Sequence, residues 1–441
     1  MPTASRELAY TALMRVEEDG SYSNITLDKL LSESPLTVRD KGFCSKLFYG
    51  VLENRLLLDY NIAVRSKIPA GEIETAAKVL LRMGLYQLFF ADSVSNAAAV
   101  NETVGLCKSK GYERAAGFVN GILRSAAKDK LLLPDPKKGK NKYWSIKYSC
   151  PESIIKLWRK SYGDELTLTC LEALQGRPPL FIRVNTLKTT AQELKSSLEK
   201  AGIGAEYSQS LENCLMLTGA GAIETLEQYR QGLFHVQDTA SQICCRTLSP
   251  VKNSTMLDVC AAPGGKTFTC AELMENKGKI IACDKYESRL GLVKSGAERL
   301  GITIIQTMAG DAAKSDFVNA DRVLCDVPCS GLGIIRRKPE LRYKPDLGLS
   351  ELPQIQYDIL CNAARFVKSG GYLVYSTCTL DPAENNDNAR RFLSEHGDFS
   401  PVSISLPEGI ERKYEEEDNE LTLFPEKNGA DGFFISLFRK K

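Results

Sequence analysis

From about residue 237 to the C-terminus, short apolar runs alternate with amphipathic segments, and this alternation restricts the fold more than any other feature of the sequence. The runs TMLDVC (255–260), KIIACD (279–284), TIIQTM (303–308), DRVLCD (321–326) and YLVYST (372–377) have the length and residue types of strands. Between them lie TFTCAELMEN, ESRLGLVKSGAERL and ELPQIQYDILCNAARFVKS, which carry helical patterns. Such alternation implies βαβ crossovers and a mainly parallel, doubly wound sheet. FFISLF (433–438) is expected to add an antiparallel strand at the end of that sheet.

The text upstream is different. Over residues 1–130 apolar side chains recur every three or four positions, as in Leu8, Ala12, Leu13 and Val16, then Phe43, Leu47, Phe48, Val51 and Leu52, then Leu80, Met83, Leu85 and Leu88. That spacing predicts a bundle of several helices. LLLPDPKKGKNK (131–142), with two prolines, a glycine and a lysine run, reads as a linker. Residues 143–236 are mixed: FIRVNTLK (181–188) alternates like a strand and AQELKSSLEKAG (191–202) is a short amphipathic helix, so a small α+β module is expected there. A chain of 441 residues accommodates these three domains, 1–130, 143–236 and 237–441.

Hydrophobic residues make up 43% and charged residues 25%, the balance of a water-soluble globular protein. The N-terminus lacks the apolar core of a signal peptide, and no run reaches the roughly 18 apolar residues of a membrane span. A cytoplasmic monomer without membrane contact is expected. With a net charge of +2, only local clusters speak of nucleic acid: Lys137, Lys138, Lys140 and Lys142 in one, and Arg336, Arg337 and Lys338 in another. None of the 14 cysteines forms a CxxC pair, and neither His235 nor His396 lies near a cysteine pair at zinc spacing, so no metal is expected.

In a doubly wound sheet ligands sit outside the carboxyl ends of the strands. The first strand ends in LDVCAAPGGKT, where Gly264 and Gly265 allow a ligand close to the backbone. A P-loop would need glycine where Cys260 stands, and a GxGxxG fingerprint is absent. An S-adenosylmethionine loop, with no diphosphate to cradle, needs fewer glycines. Acidic residues favour it. Asp284 closes the second strand, where a carboxylate can accept ribose hydroxyls; Asp311 follows the third, placed for an adenine amine; Asp326 ends the fourth.

The fourth strand runs into DVPCSGLG (326–333) and the fifth into STCTLDPAEN (376–385), which should bring Cys329 and Cys378 to one cleft. Two thiols beside a methyl donor suit C5 of cytosine, a poor nucleophile until a thiolate adds at C6. Asp326 is the candidate to hold N3 and the exocyclic amine, provided burial raises its pKa enough to donate a proton. Arg336 and Arg337 are candidate phosphate clamps, and Arg183 in the 181–188 strand a further candidate RNA contact. Spacing alone does not choose which thiol attacks.

The motifs CAAPGGK, DVPCSGLG and STCTLDPAEN resemble those of the Nol/Nop/Sun family of RNA cytosine-C5 methyltransferases. The resemblance implies a Rossmann-like S-adenosylmethionine-dependent domain. It also implies that Cys378 is the nucleophile and that Cys329 assists product release. The donor site it implies comprises Cys260, Ala261, Ala262, Pro263, Gly264, Gly265, Lys266, Asp284, Asp311 and Asp326. Upstream, SYSNITLDKLL (21–31), VLLRMGLYQLFF (79–90) and NAAAVNETVGLCKSKGYERAAGFVNGILRS (96–125) resemble the NusB-like RNA-binding domain fused to bacterial members of the family. This points to 16S ribosomal RNA as substrate. Val327 departs from the alanine the family commonly has between the Asp and the Pro. The rival expectations are the same reaction on tRNA, a non-catalytic RNA-binding scaffold, and a P-loop ATPase.

Overall fold

The computed structural model describes residues 3–20, 23–129, 131–344, 350–427 and 429–441. The chain divides into two compact units, Met1–Gly176 with Ile335–Pro345, and Arg177–Ile334 with Asp346–Lys441.

The first unit is helical, as its apolar spacing requires. Leu13, Leu47, Phe48, Val51, Leu80, Met83 and Leu123 lie on the inward stripes of successive helices and form one buried core. Two departures from expectation concern its C-terminal part. The stretch read as a linker contains a 3₁₀ turn at Pro136–Lys138, and the helix Lys140–Tyr148 begins inside it. That helix and the next, Glu152–Ala173, belong to this unit rather than to the middle module, and they bury Trp144 and Trp158 within it. The segment 335–344 is anchored here too. Glu340 accepts hydrogen bonds from the backbone N–H of Ser23 (3.2 Å) and its hydroxyl (2.7 Å), and Arg342 donates to the Ser149 carbonyl at 3.0 Å. Among the described residues no helix is long and apolar enough to cross a membrane.

The second unit holds two sheets. Strands β1 (Leu180–Val184), β2 (Gly204–Tyr207), β3 (Cys214–Thr218) and β4 (Phe234–Val236) form an antiparallel sheet in the order β2-β3-β1-β4. The larger sheet contains β5 (Thr255–Asp258), β6 (Lys279–Asp284), β7 (Ile305–Ala309), β8 (Ala320–Asp326) and β9 (Val367–Thr377). These five pair in parallel in the order β7-β6-β5-β8-β9. Chain order runs outward from β5 to one side and then, from β8, to the other. The ends of β5 and β8 therefore flank the crevice where such sheets take ligands.

Strands β10 (Phe399–Pro401), β11 (Glu420–Leu423) and β12 (Phe433–Lys440) complete the sheet. The expected terminal strand, β12, is antiparallel to β9 but not at the edge, because β10 and β11 pair along its other side. Both faces of the sheet are covered. The helices Thr239–Leu248, Gly265–Leu273 and Glu287–Leu300 contribute to one apolar core, and Leu352–Arg365 and Asn386–Glu395 to the other.

The small sheet is tied to the large one by a buried ion pair. Arg183 on β1 is 7% exposed, and its Nε donates to Glu272 in the helix after β5 at 3.1 Å. A second donation runs from Nη1 to the Glu212 carbonyl at 3.2 Å. Arg183 is therefore not an RNA contact: its guanidinium faces an internal carboxylate, not solvent. Removing one partner of such a pair strands the other in the core. Arg183→Leu is expected to lower stability by about 3 kcal/mol. RNA affinity of the folded fraction, measured by filter binding beside a denaturant titration, should be unchanged.

Candidate active site

The loop after β5 begins at Val259 and enters the helix at Gly265. Cys260 is half-buried, Ala261 and Ala262 are buried, and Pro263 is exposed. Gly264 has φ +111°, and a Cβ there would lie 2.4 Å from the Phe268 ring, so the turn accepts only glycine. At Gly265 the nearest atom to a Cβ would be 3.8 Å away, which leaves room above the first turn of the helix. Arg289 fixes this loop to the end of β6. It donates to the Ala262 carbonyl at 2.8 Å and pairs with Asp284 at 3.1 Å. Asp284 also accepts from the Tyr286 N–H at 3.1 Å. Asp311, after β7, sits nearer the surface. The Ala313 N–H at 3.1 Å, and then Lys285 at 3.3 Å, hold its carboxyl below the ordinary range. A glycine-lined turn at a helix start, with carboxylates at the next two strand ends, fits a ligand carrying an anionic group, a diol and an amine.

Asp326 lies across the crevice from that loop. Its Oδ2 accepts from Lys266 Nζ at 2.7 Å, and its Oδ1 from the Ser376 hydroxyl at 2.8 Å. This carboxyl is half of an ion pair. Burial works against the charge on Lys266, but Asp326 more than offsets it and raises the lysine pKa. The ammonium also lies 4.9 Å from the centroid of the Phe433 ring. Lys266 therefore keeps its ammonium proton, and the ion pair joins two of the expected donor-site residues, Lys266 and Asp326, across the crevice.

Cys329 follows β8 and Cys378 follows β9, and parallel pairing sets Asp326 opposite Ser376. The two sulfurs are 3.1 Å apart and both residues are half-buried. The hydrogen bond with Cys378, then burial, then the charge of Glu384 raise the Cys329 pKa well above an ordinary thiol's. Cys329 thus keeps its proton and can donate it toward the other sulfur. The Cys378 loop is held by backbone. Gly333 N–H donates to the Cys378 carbonyl at 3.0 Å, and Gly432 N–H to the Gly333 carbonyl at 2.9 Å. A Cβ on Gly333 would lie 2.1 Å from the Gly432 oxygen, so only glycine permits this approach.

The arginines after Cys329 are not placed as expected. Arg336 is 3% exposed within the helical unit, where a phosphate in solvent cannot reach it, and Arg337 is half-buried. Both make interactions inside the protein. Lys137, Lys138, Lys140 and Lys142 are exposed, with Lys140 paired to Asp164. No cluster of three or more metal-binding side chains occurs among the described residues.

Asp258, in the LDVC run but not singled out from sequence, is 1% exposed at the end of β5. Burial pushes its carboxyl up to about 7, against the Thr267 hydroxyl bonded to it at 2.7 Å. The folded protein thus keeps a proton that the unfolded chain releases near pH 4. The resulting stability is full below about pH 4 and is lost as pH rises toward 7. Asp258→Asn cannot ionise. Its stability relative to the parent should rise from pH 4 to 7 by at most about 1.4 kcal/mol per pH unit, read from denaturant melts across that range.

Three family descriptions match the chain: the NusB family over residues 3–128, the ferredoxin-like domain of RsmF/B-like methyltransferases over 150–224, and the 16S rRNA methyltransferase RsmB/F over 245–439. A Bacillus subtilis relative, probable ribosomal RNA small subunit methyltransferase B, is 36% identical over 100% of this chain and 99% of its own. A Synechocystis relative of the same description is 35% identical over 99% of each. The crystal structure of PH0851 superposes with a TM-score of 0.83 at 27% identity, covering 100% of both chains. By matches that run from one end to the other, through the helical unit, the small sheet and the two-thiol crevice alike, the chain belongs to the ribosomal RNA small subunit methyltransferase B family.

Proposed function

We propose that this methyltransferase converts one cytosine of 16S ribosomal RNA to 5-methylcytosine, using S-adenosylmethionine and a covalent bond between Cys378 and C6 of the base. The observation that carries this reading is the pair of thiols 3.1 Å apart beside the Lys266–Asp326 ion pair. Cytosine C5 does not attack an alkyl donor unaided. Cys378, as thiolate, supplies the electron pair of a new Sγ–C6 bond, and the displaced π pair makes C5 nucleophilic. Asp326 can accept from the exocyclic amine with its remaining lone pairs, while the Lys266 ammonium supplies a proton or hydrogen bond for N3. Bound in the loop of residues 260–266, with Asp284 and Asp311 as acceptors, S-adenosylmethionine supplies an electrophilic methyl group.

Release requires two bonds to break. The C5 proton passes to water, the C5–C6 double bond re-forms, and the Sγ–C6 pair returns to Cys378. Cys329, held as a thiol, donates its S–H to that sulfur and stabilises it as a leaving group. Ribosomal RNA is favoured over tRNA by the NusB match and by the relatives' descriptions.

Cys329→Ala should accumulate a protein–RNA complex that survives denaturing electrophoresis, while Cys378→Ala should give neither complex nor methyl transfer. Trapping of RNA by Cys378→Ala would reverse the two roles. Bisulfite sequencing of RNA from a strain lacking the protein should show one unprotected cytosine in 16S rRNA. Loss at a tRNA position instead would overturn the substrate assignment.

A further inference from the structure

Glu384, on the loop after Cys378, has no exposed surface, and no ion pair to it is found among the described residues. Leaving a carboxylate in the core without a cation is costly, and a neutral bracket could close the same loops. Its surroundings account for it. Oε2 accepts from the Ser330 N–H at 2.9 Å and from Gln356 Nε2 at 2.6 Å, and Oε1 accepts from the Ser330 hydroxyl. The Ser330 hydroxyl in turn lies 2.7 Å from that of Thr379. Ser330 is the residue after Cys329, and Thr379 the residue after Cys378. Gln356 also donates to the Pro328 carbonyl at 3.0 Å, so Cys329 is gripped on both sides.

We propose that Glu384 is a positioning residue of the two-thiol centre, which sets the separation of Cys329 and Cys378 through Ser330 and Thr379. The mount is rigid: the Tyr375 hydroxyl on β9 donates to the Glu384 carbonyl at 2.5 Å. Beyond Ser330 the chain turns at Gly331, with φ +73°. Three donors converge on the two carboxylate oxygens. Glutamine can keep these partners by placing its NH₂ at the Oε1 position, where the Ser330 hydroxyl turns to accept from it and donates to Thr379, whereas alanine removes both acceptors and strands the Ser330 N–H and the Gln356 amide. With that bracket lost, the Cys329 loop would no longer be held to Thr379 and its thiol would shift away from Cys378.

The role in release rests on the function proposed above, so the test includes a readout that needs no RNA. Mild oxidation of the full-length protein by diamide takes two protons and two electrons from neighbouring thiols. It leaves a Cys329–Cys378 disulfide that is quantified by peptide mass spectrometry. Glu384→Ala should form that disulfide at least about tenfold more slowly than the parent, as expected when reacting atoms are displaced by an ångström. In turnover kcat should fall with little change in KM for RNA, and a denaturation-resistant RNA complex should accumulate. Ser330→Ala, which removes the shared hydroxyl without altering a charge, should act in the same direction and serves if Glu384→Ala does not fold. Disulfide formation at the parental rate in both variants would overturn the proposal. Slowed disulfide formation with no RNA complex in any variant would uphold the positioning role and count against the covalent mechanism instead.

Discussion

The parallel pairing of β8 with β9 is the constraint on which the crevice depends. It sets Asp326 beside Ser376, so the chain leaves both strands at the same height, and the next few residues of each loop come face to face. Everything chemically distinctive follows from that register: the hydroxyl of Ser376 on Asp326, the two sulfurs in contact, and the bond between the residues that follow them. A slip of one residue in either strand would turn Asp326 or Ser376 to the other face of the sheet and dissolve the group.

Charge in the crevice is arranged in two compartments. On one side Lys266 and Asp326 neutralise each other beside Phe433, and Asp258 lies buried beneath them at the end of β5. On the other side Glu384 is solvated only by neutral donors. The thiols lie between a cationic donor and an unpaired internal anion. This polarity suits a centre in which one sulfur must become anionic while its neighbour keeps its proton.

Much of this was legible in the sequence, for identifiable reasons. The strands β5, β6, β7, β8 and β9 are short apolar runs bounded by turn residues, and parallel buried strands read that way. The candidate ligand-loop and cysteine positions fall at their ends, as the general rule for such sheets requires. Strands β10 and β11 were not legible, because FSP and ELTL are short, carry little local signal and owe their conformation to pairing with β12. Arg183 was misread for a similar reason: its partner Glu272 is 89 positions away, and a basic residue in an alternating strand looks solvent-facing until that carboxylate is seen. Arg336 was misjudged because charge clustering gives no measure of burial. Asp258 and Glu384 stood inside the quoted motifs, but only three-dimensional burial separates them from ordinary turn acids.

The central claim is that Cys378, and not its neighbour, forms the bond to the base, and it can be tested by isolating the adduct itself. An RNA substrate carrying 5-fluorocytosine accepts the thiolate and the methyl group but has no C5 proton to lose, so the protein should remain attached. Digestion of that complex and mass spectrometry of the cross-linked peptide should place the nucleotide on Cys378. A nucleotide on Cys329, or a substrate methylated with no covalent complex formed, would contradict the account.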